Sequence, residues 1–330
     1  MTWNMTHTTC AAVLALVACD AEVDPGVADQ DAPAIARNEE NGVRLNSFRL
    51  NSFRLNSFRL NSFRLNGDPG TQDYIEITGV DLPGSAKAGF AWIKDSTLYM
   101  VTTKGKILGG AKLEKTIVRF TVQEDGKKRV REVKIEGVRR LEQGDDDAPW
   151  HPYKQHAWGE SDVMLYDLTI REGVQGKWAP LCVDEHGEAF PAVLLKDVWD
   201  PETGERVTPR PSGAVTLACV DAALGKCASW GYHPWASQGG EPLADYHQAC
   251  TRLVRADYCG DGTPHTLDGT PIHVLDPLGI EKVDPYASYV VEAEWGPDGA
   301  VRLNPANTRL PDVEVACADP AVLRCRGQAL

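Results

Sequence analysis

Five stretches in the first half of the chain are rich in β-branched and aromatic residues and are separated by Gly, Asp and Pro: Tyr74–Thr78, Thr97–Thr102, Thr116–Val122, Val130–Val138 and Val163–Ile170. That pattern predicts strands. The third and fourth flank Asp125-Gly126 and read as a hairpin with a longer loop. No long amphipathic helix precedes residue 219. After it, Leu243, Tyr246, Cys250, Leu253, Val254 and Tyr258 recur at three, four and seven residues, the stripe of a helix facing a core. With Pro242 in the first turn and Gly260 as a stop, the helix is expected from about Glu241 to about Asp257. The fold class expected is α+β: a β-rich antiparallel sheet or barrel, then a disulfide-bearing C-terminal half with one main helix.

The N-terminal region carries a different pattern. Cys10–Ala18 is an apolar run too short to span a bilayer and of the length of a signal-peptide core. It ends in Leu16-Val17-Ala18-Cys19, similar to a bacterial lipobox, which implies lipid attachment at Cys19 and a membrane-anchored, exported protein, periplasmic or on the cell surface. The first nine residues lack the Lys or Arg expected of such a leader. Asp20–Asn41 holds seven acids, one Arg and two prolines and almost nothing to bury, so a disordered spacer is expected.

From Arg44 to Asn66 the unit Asn-Ser-Phe-Arg-Leu repeats four times, starting at Asn46, Asn51, Asn56 and Asn61. A five-residue period throws successive Phe residues to opposite faces of a strand and suits no helix. A square β-helix would accommodate it, with a faint resemblance to pentapeptide-repeat proteins. The repeats supply little more than one coil, and solenoids need about three stacked units. An extended arm of ~80 Å at ~3.4 Å per residue is therefore expected. The domain plan is 1–18 leader, 19–41 spacer, 42–66 repeat arm, 67–175 β-rich domain and 176–330 Cys-rich domain, with a boundary in the irregular Gln143–Ser161 region.

Charge separates these segments further. The net charge of the chain is −13. The spacer contributes −6, the arm +5 through Arg44, Arg49, Arg54, Arg59 and Arg64, and the remainder −12. The arm could contact anionic lipid or glycan, or its arginines could simply keep its Phe and Leu soluble. The acidic body argues against nucleic acid as a partner.

Seven of the nine cysteines fall between Cys182 and Cys325. In an exported protein, clustered cysteines are usually spent on disulfides. Spacing suggests local pairs Cys219/Cys227, Cys250/Cys259 and Cys317/Cys325, with Cys182 left as the free thiol. Helix geometry opposes a literal reading. Residues 250–257 as helix would advance ~10 Å, against a Cα separation of about 4.4–6.8 Å in a disulfide. A bond from Cys250 to Cys227 is at least as good, and the sequence does not choose.

Candidate chemistry is thin. His247, Cys250, Cys259 and His265 offer zinc-type ligands, but at the spacing of no common zinc module, so no metal is expected. A thiol enzyme would use Cys182 with His186, or Cys259 with His265, and Asp257 is a further candidate, although no nucleophile elbow or HExxH is present. Asp257, Asp261 and Asp268 do not have EF-hand spacing, and the two Asp-Gly-Thr turns at Asp261 and Asp268 explain those residues without an ion. Trp230, Tyr232 and Trp235, with His233, could form an aromatic binding patch or pack in the core. No cofactor motif is present.

Ala256-Asp257-Tyr258-Cys259 resembles the signature of the ADYC-domain family. Trp178–Cys182, Cys219–Cys227, Gly231–Trp235 and the stretch CGDGTPHTLDGT from Cys259 match the same family, and together they cover roughly the C-terminal half. The resemblance implies an exported bacterial protein, often a lipoprotein, with no activity to assign to any residue. The reading that follows is a lipid-anchored envelope protein with a binding or structural role; the alternative is an envelope hydrolase or thiol enzyme.

Overall fold

The computed structural model describes residues 57–59, 75–124, 127–141, 163–183, 187–200, 203–208, 214–220, 222–266, 272, 274, 276–280, 292–310, 315 and 317. The segments expected to be leader and spacer, and most of the expected repeat arm, lie outside them.

Fifteen strands and two α-helices are described. The strands are β1 (Ser57–Arg59), β2 (Ile75–Asp81), β3 (Ala88–Lys94), β4 (Thr97–Thr102), β5 (Ile107–Gly109), β6 (Ile117–Glu124), β7 (Lys127–Arg140), β8 (Met164–Glu172), β9 (Ala179–Pro180), β10 (Ala192–Leu195) and β11 (Ala214–Cys219). Then come α1 (Ala223–Ser229), β12 (Ser237–Gln238), β13 (Glu241–Pro242), α2 (Leu243–Arg255), β14 (Ala293–Gly296) and β15 (Gly299–Leu303).

The main sheet is antiparallel in the order β1-β11-β10-β8-β7-β6-β2, with β9 paired to β8. β3, β4 and β5 form a second antiparallel sheet of three strands. The class expected from sequence, a mostly antiparallel β body with a disulfide-bearing helical portion, is what the chain adopts.

Four details differ. A second helix, α1, precedes the expected one. The strands of the hairpin run as far as the pair Glu124↔Lys127, which leaves two residues between them rather than a longer loop. The main sheet also crosses the expected boundary at 175/176, because β8 pairs with β10, which pairs with β11. Finally, one part of the repeat arm is built into the sheet. Ser57, Phe58 and Arg59 pair with Thr216, Val215 and Ala214, so this piece is an edge strand rather than free tether.

Period-two alternation explains why β10, inside the sheet, is apolar throughout. Ala192 and Leu194 of β10 join one cluster with Val118, Phe120, Val133, Ile135, Tyr166, Val215 and Leu217. The alternate residues Val193 and Leu195 join Leu165, Ala218 and Val220 in a cluster on the other face, which α1 covers with Leu224 and Ala228. All four residues of β10 are therefore buried. Each Val or Leu so covered contributes about 1.5–3 kcal/mol. The first face is covered by the small sheet through Leu98, Met100 and Leu108.

Two polar ties hold the small sheet on that face. The hydroxyl of buried Tyr166 accepts a hydrogen bond from the Leu98 N–H at 2.8 Å, and the Ser96 hydroxyl accepts from the Met164 N–H at 2.7 Å. Tyr166→Phe keeps the ring but removes the acceptor for a buried N–H. We expect a loss of about 1–3 kcal/mol in denaturant unfolding; an unchanged midpoint would show that Leu98 finds another partner.

Candidate functional site: the turn after helix α2

Helix α2 forms because its stripe has something to cover. Leu243, Tyr246, Ala249, Cys250, Leu253 and Val254 are buried with Ala223 and Cys227 of α1 and with Ala293, Trp295, Ala300 and Leu303 of β14 and β15. The helix ends at Arg255, earlier than expected. Ala256 takes the left-handed conformation (φ 49°), its N–H donates to Leu253 O, and Asp257 N–H donates to Arg252 O. This is the Schellman arrangement with alanine at the position usually given to glycine. Gly260 has another task. A Cβ there would lie 1.8 Å from Asp298 O, so only glycine lets this turn rest on the β14–β15 connection.

A helix C-terminus leaves four carbonyls without intrahelical donors, and here they are inside the protein. Each finds a partner. Arg252 O takes the Asp257 N–H and Leu253 O takes the Ala256 N–H. The Arg309 guanidinium also donates to Leu253 O and, at 3.2 Å, to Val254 O. Arg255 O accepts from His265 N–H at 3.1 Å. The carbonyl of Ala256, just beyond, lies 3.2 Å from His265 Nδ1. The Arg309 cation also sits favourably at the negative end of the helix dipole.

The remaining residues of the turn are equally committed. Asp257 Oδ2 accepts from Arg252 at 2.5 Å and from Gly262 N–H at 3.0 Å. Arg252 donates in addition to Pro297 O and Thr203 O, so one buried guanidinium joins three loops. Burial pushes the Asp257 carboxyl above the usual carboxylate range, and the Arg252 charge pulls it back. Tyr258 stacks on Trp295 with centroids 5.2 Å apart; its hydroxyl donates to Glu292 and accepts from Arg309 N–H. Burial raises the Tyr258 pKa well above that of a free phenol. Glu292 in turn pairs with Arg309 at 2.9 Å.

Three disulfides complete the region: Cys182–Cys219, Cys227–Cys250 and Cys259–Cys317, with Cα separations of 5.6, 5.9 and 5.3 Å. The local pairs suggested by spacing are thus displaced by one cysteine along the chain. Cys182, expected to be free, opens the series, while Cys325 lies outside the described residues. The Cys227–Cys250 bond ties α1 to α2, the alternative that helix geometry left open.

These bonds decide what the candidate groups can do. As half-cystines, Cys182, Cys250 and Cys259 offer neither a nucleophilic thiolate nor a metal ligand. His186 and Asp268 lie outside the described residues. His265 packs on the Tyr258 ring at 5.5 Å and serves the helix end. Asp261 accepts from Thr263 N–H at 2.9 Å, closing a local turn. Among the described residues, no group of three His, Cys, Asp or Glu side chains could hold a metal ion. The aromatic set divides: Trp230 and Tyr232 are core residues, and the Tyr232 hydroxyl meets Asp276 at 3.1 Å. Trp235 stacks on His233 at 5.1 Å, and both are half-buried. Trp178 lies beneath the cations of Arg171 and Lys134, at 4.4 and 4.6 Å.

Sequence reasoning passed over Arg252, Arg309 and Glu292 as members of this site. Arg252 was legible as the polar side of the α2 stripe, but its burial follows from loops remote in sequence. For Arg309 no local pattern could have pointed to a helix end more than fifty residues earlier.

An antiparallel sheet covered by α1, a disulfide joining α1 to α2, and a turn after α2 in which every terminal helix carbonyl is paired define the class. A family model described as the ADYC domain matches residues 110–309. That is most of the chain, and the protein belongs to the ADYC-domain family. No curated protein and no solved structure matches it.

His247, on α2, makes the region sensitive to acid. It is fully buried, with Nε2 placed 3.0 Å from Leu224 O, and burial lowers its pKa from 6.5 to about 3. The unfolded chain therefore binds this proton more readily than the folded one, so stability is complete above pH 6.5 and is lost as pH falls toward 3. We expect the wild type to lose about 2 kcal/mol through this group between pH 7.5 and pH 5. His247→Gln should remove that component; an identical pH dependence in the variant, by urea unfolding, would refute it.

Proposed function

We propose that the chain is an exported envelope protein, lipid-anchored at Cys19, whose acidic body has a binding or structural role rather than a catalytic one. The observation that carries this reading is the state of its cysteines: the six described in the body close three disulfides, which form and persist in an oxidising extracellular or periplasmic compartment. The residues that give the family its name are consumed in holding a helix end, a backbone turn, an aromatic stack and a cystine. The anchor rests on the apolar run and on Leu16-Val17-Ala18-Cys19, and the arginines of the repeat arm supply a contact for anionic lipid or glycan. No helix among the described residues is long and apolar enough to cross a membrane.

Two measurements test the reading. Metabolic fatty-acid labelling should mark the wild type and be lost in Cys19→Ser; label that persists in the variant removes the anchor. Mass spectrometry of non-reduced, alkylated protein from the exported fraction should recover the three cross-links. Reductant should cost about 2–4 kcal/mol per bond in stability. Free, fast-reacting Cys182 or Cys259 would return the enzyme reading.

A further inference from the structure

The small sheet presents a face that nothing in the described structure covers. Leu98, Met100 and Thr102 of β4 are buried, whereas Thr97, Tyr99 and Val101 point the other way. Pairing sets their neighbours. Val101 stands between Phe90 and Ile107, Tyr99 between Trp92 and Gly109, and Thr97 beside Lys94. The first row is thus three apolar side chains, of which Phe90 is 49% and Ile107 57% exposed. In the second row Tyr99 occupies the space above Gly109, where a Cβ would come within 2.6 Å of its ring. Trp92 stacks on Tyr99 at 5.2 Å and Phe90 leans on Trp92 at 5.4 Å. Glycine at 109 therefore lets the rings lie in series across the strands.

Charge surrounds this strip with the sign opposite to that of the body. Residues 87–109 carry four lysines and a single acid, Asp95, in a chain of net charge −13. Lys104 and Lys106, both exposed, flank the β4–β5 turn, and exposed Lys87 lies beside it through the bond from Thr103 N–H to Lys87 O. Lys94 marks the opposite end. The sheet precedes Gly110, where the family match begins.

We propose that this face is a membrane-docking surface, with Phe90, Trp92, Tyr99, Val101 and Ile107 entering the interfacial zone and the lysines meeting anionic headgroups. Aromatic and aliphatic side chains without hydrogen-bonding neighbours suit that zone. A sugar ring would require several donors and acceptors beside the stack, and the two rows offer only the Tyr99 hydroxyl and the Trp92 indole N–H. The lysine ring supplies the electrostatic part, and shallow apolar insertion the rest. The face adds a second membrane contact, independent of any lipid at Cys19 and of the arm.

The test uses the full chain carrying Cys19→Ser, with the five arm arginines changed to Gln, so that neither lipid nor arm contributes. This parent should sediment with vesicles of phosphatidylglycerol in phosphatidylcholine, and not with phosphatidylcholine alone. Lys104→Glu with Lys106→Glu should weaken binding by about fivefold or more per lysine. Phe90→Ser with Ile107→Ser should weaken it about tenfold, with the melting temperature unchanged because both sites are exposed. Failure of the parent to sediment, equal binding by parent and variants, or equal binding to neutral vesicles would overturn the proposal. So would a concentration-dependent dimer abolished by Phe90→Ser with Ile107→Ser, which would assign the face to a second copy.

Discussion

The C-terminal half depends on solving one problem: helix α2 ends inside the protein, and its last carbonyls must be paired away from water. A buried acceptor left unpaired costs about 1–3 kcal/mol, so four of them would consume much of the stability of a domain. The turn provides two backbone donors, His265 provides one more, and Arg309 reaches in from beyond β15. Once these are placed, Asp257 must face Arg252, Tyr258 must face Trp295, and Cys259 is directed toward Cys317. The motif therefore works as a connector, in which each side chain commits a different remote segment to the same helix end.

The main sheet follows a simpler rule. β10 is covered on both faces, so its residues are apolar without interruption, while β8 and β7 beside it alternate apolar residues with charged ones. Glu132 shows the intermediate case: it is fully buried, and it is tolerated because Arg119 and Arg171 both reach it from neighbouring strands. A buried carboxylate stripped of either arginine would be left partly uncompensated in a low-dielectric site.

What the sequence revealed follows the range of the interactions involved. The α2 stripe was legible because helical periodicity is local, and β4, β6, β7 and β8 were legible because their β-branched runs are long. β10 was missed: its four apolar residues lack alternation, since both faces are buried, and periodicity cannot distinguish such a run from a buried helix segment. α1 is too short to show a stripe. Ala256 in the left-handed conformation could not be anticipated from propensity, which favours Gly260 as the stop; the buried partners around the turn override it. The cysteine partners were ambiguous for the same reason. Spacing measures distance along the chain, while the bonds follow distances set by the packing of α1 on α2. The exposed aromatic face was hidden too, because Phe90 and Trp92 meet Tyr99 and Ile107 only after strands pair.

The order of the cystines has a consequence for biogenesis. The three bonds join residues 182 to 219, 227 to 250 and 259 to 317, so each loop closes before the next begins and none encloses or crosses another. A chain delivered N-terminus first into an oxidising compartment meets the correct partner of each of these half-cystines as the next cysteine to arrive. Nearest-in-time oxidation and native connectivity then coincide. Such a protein can acquire its cross-links in step with translocation, without the reshuffling that interleaved disulfides require.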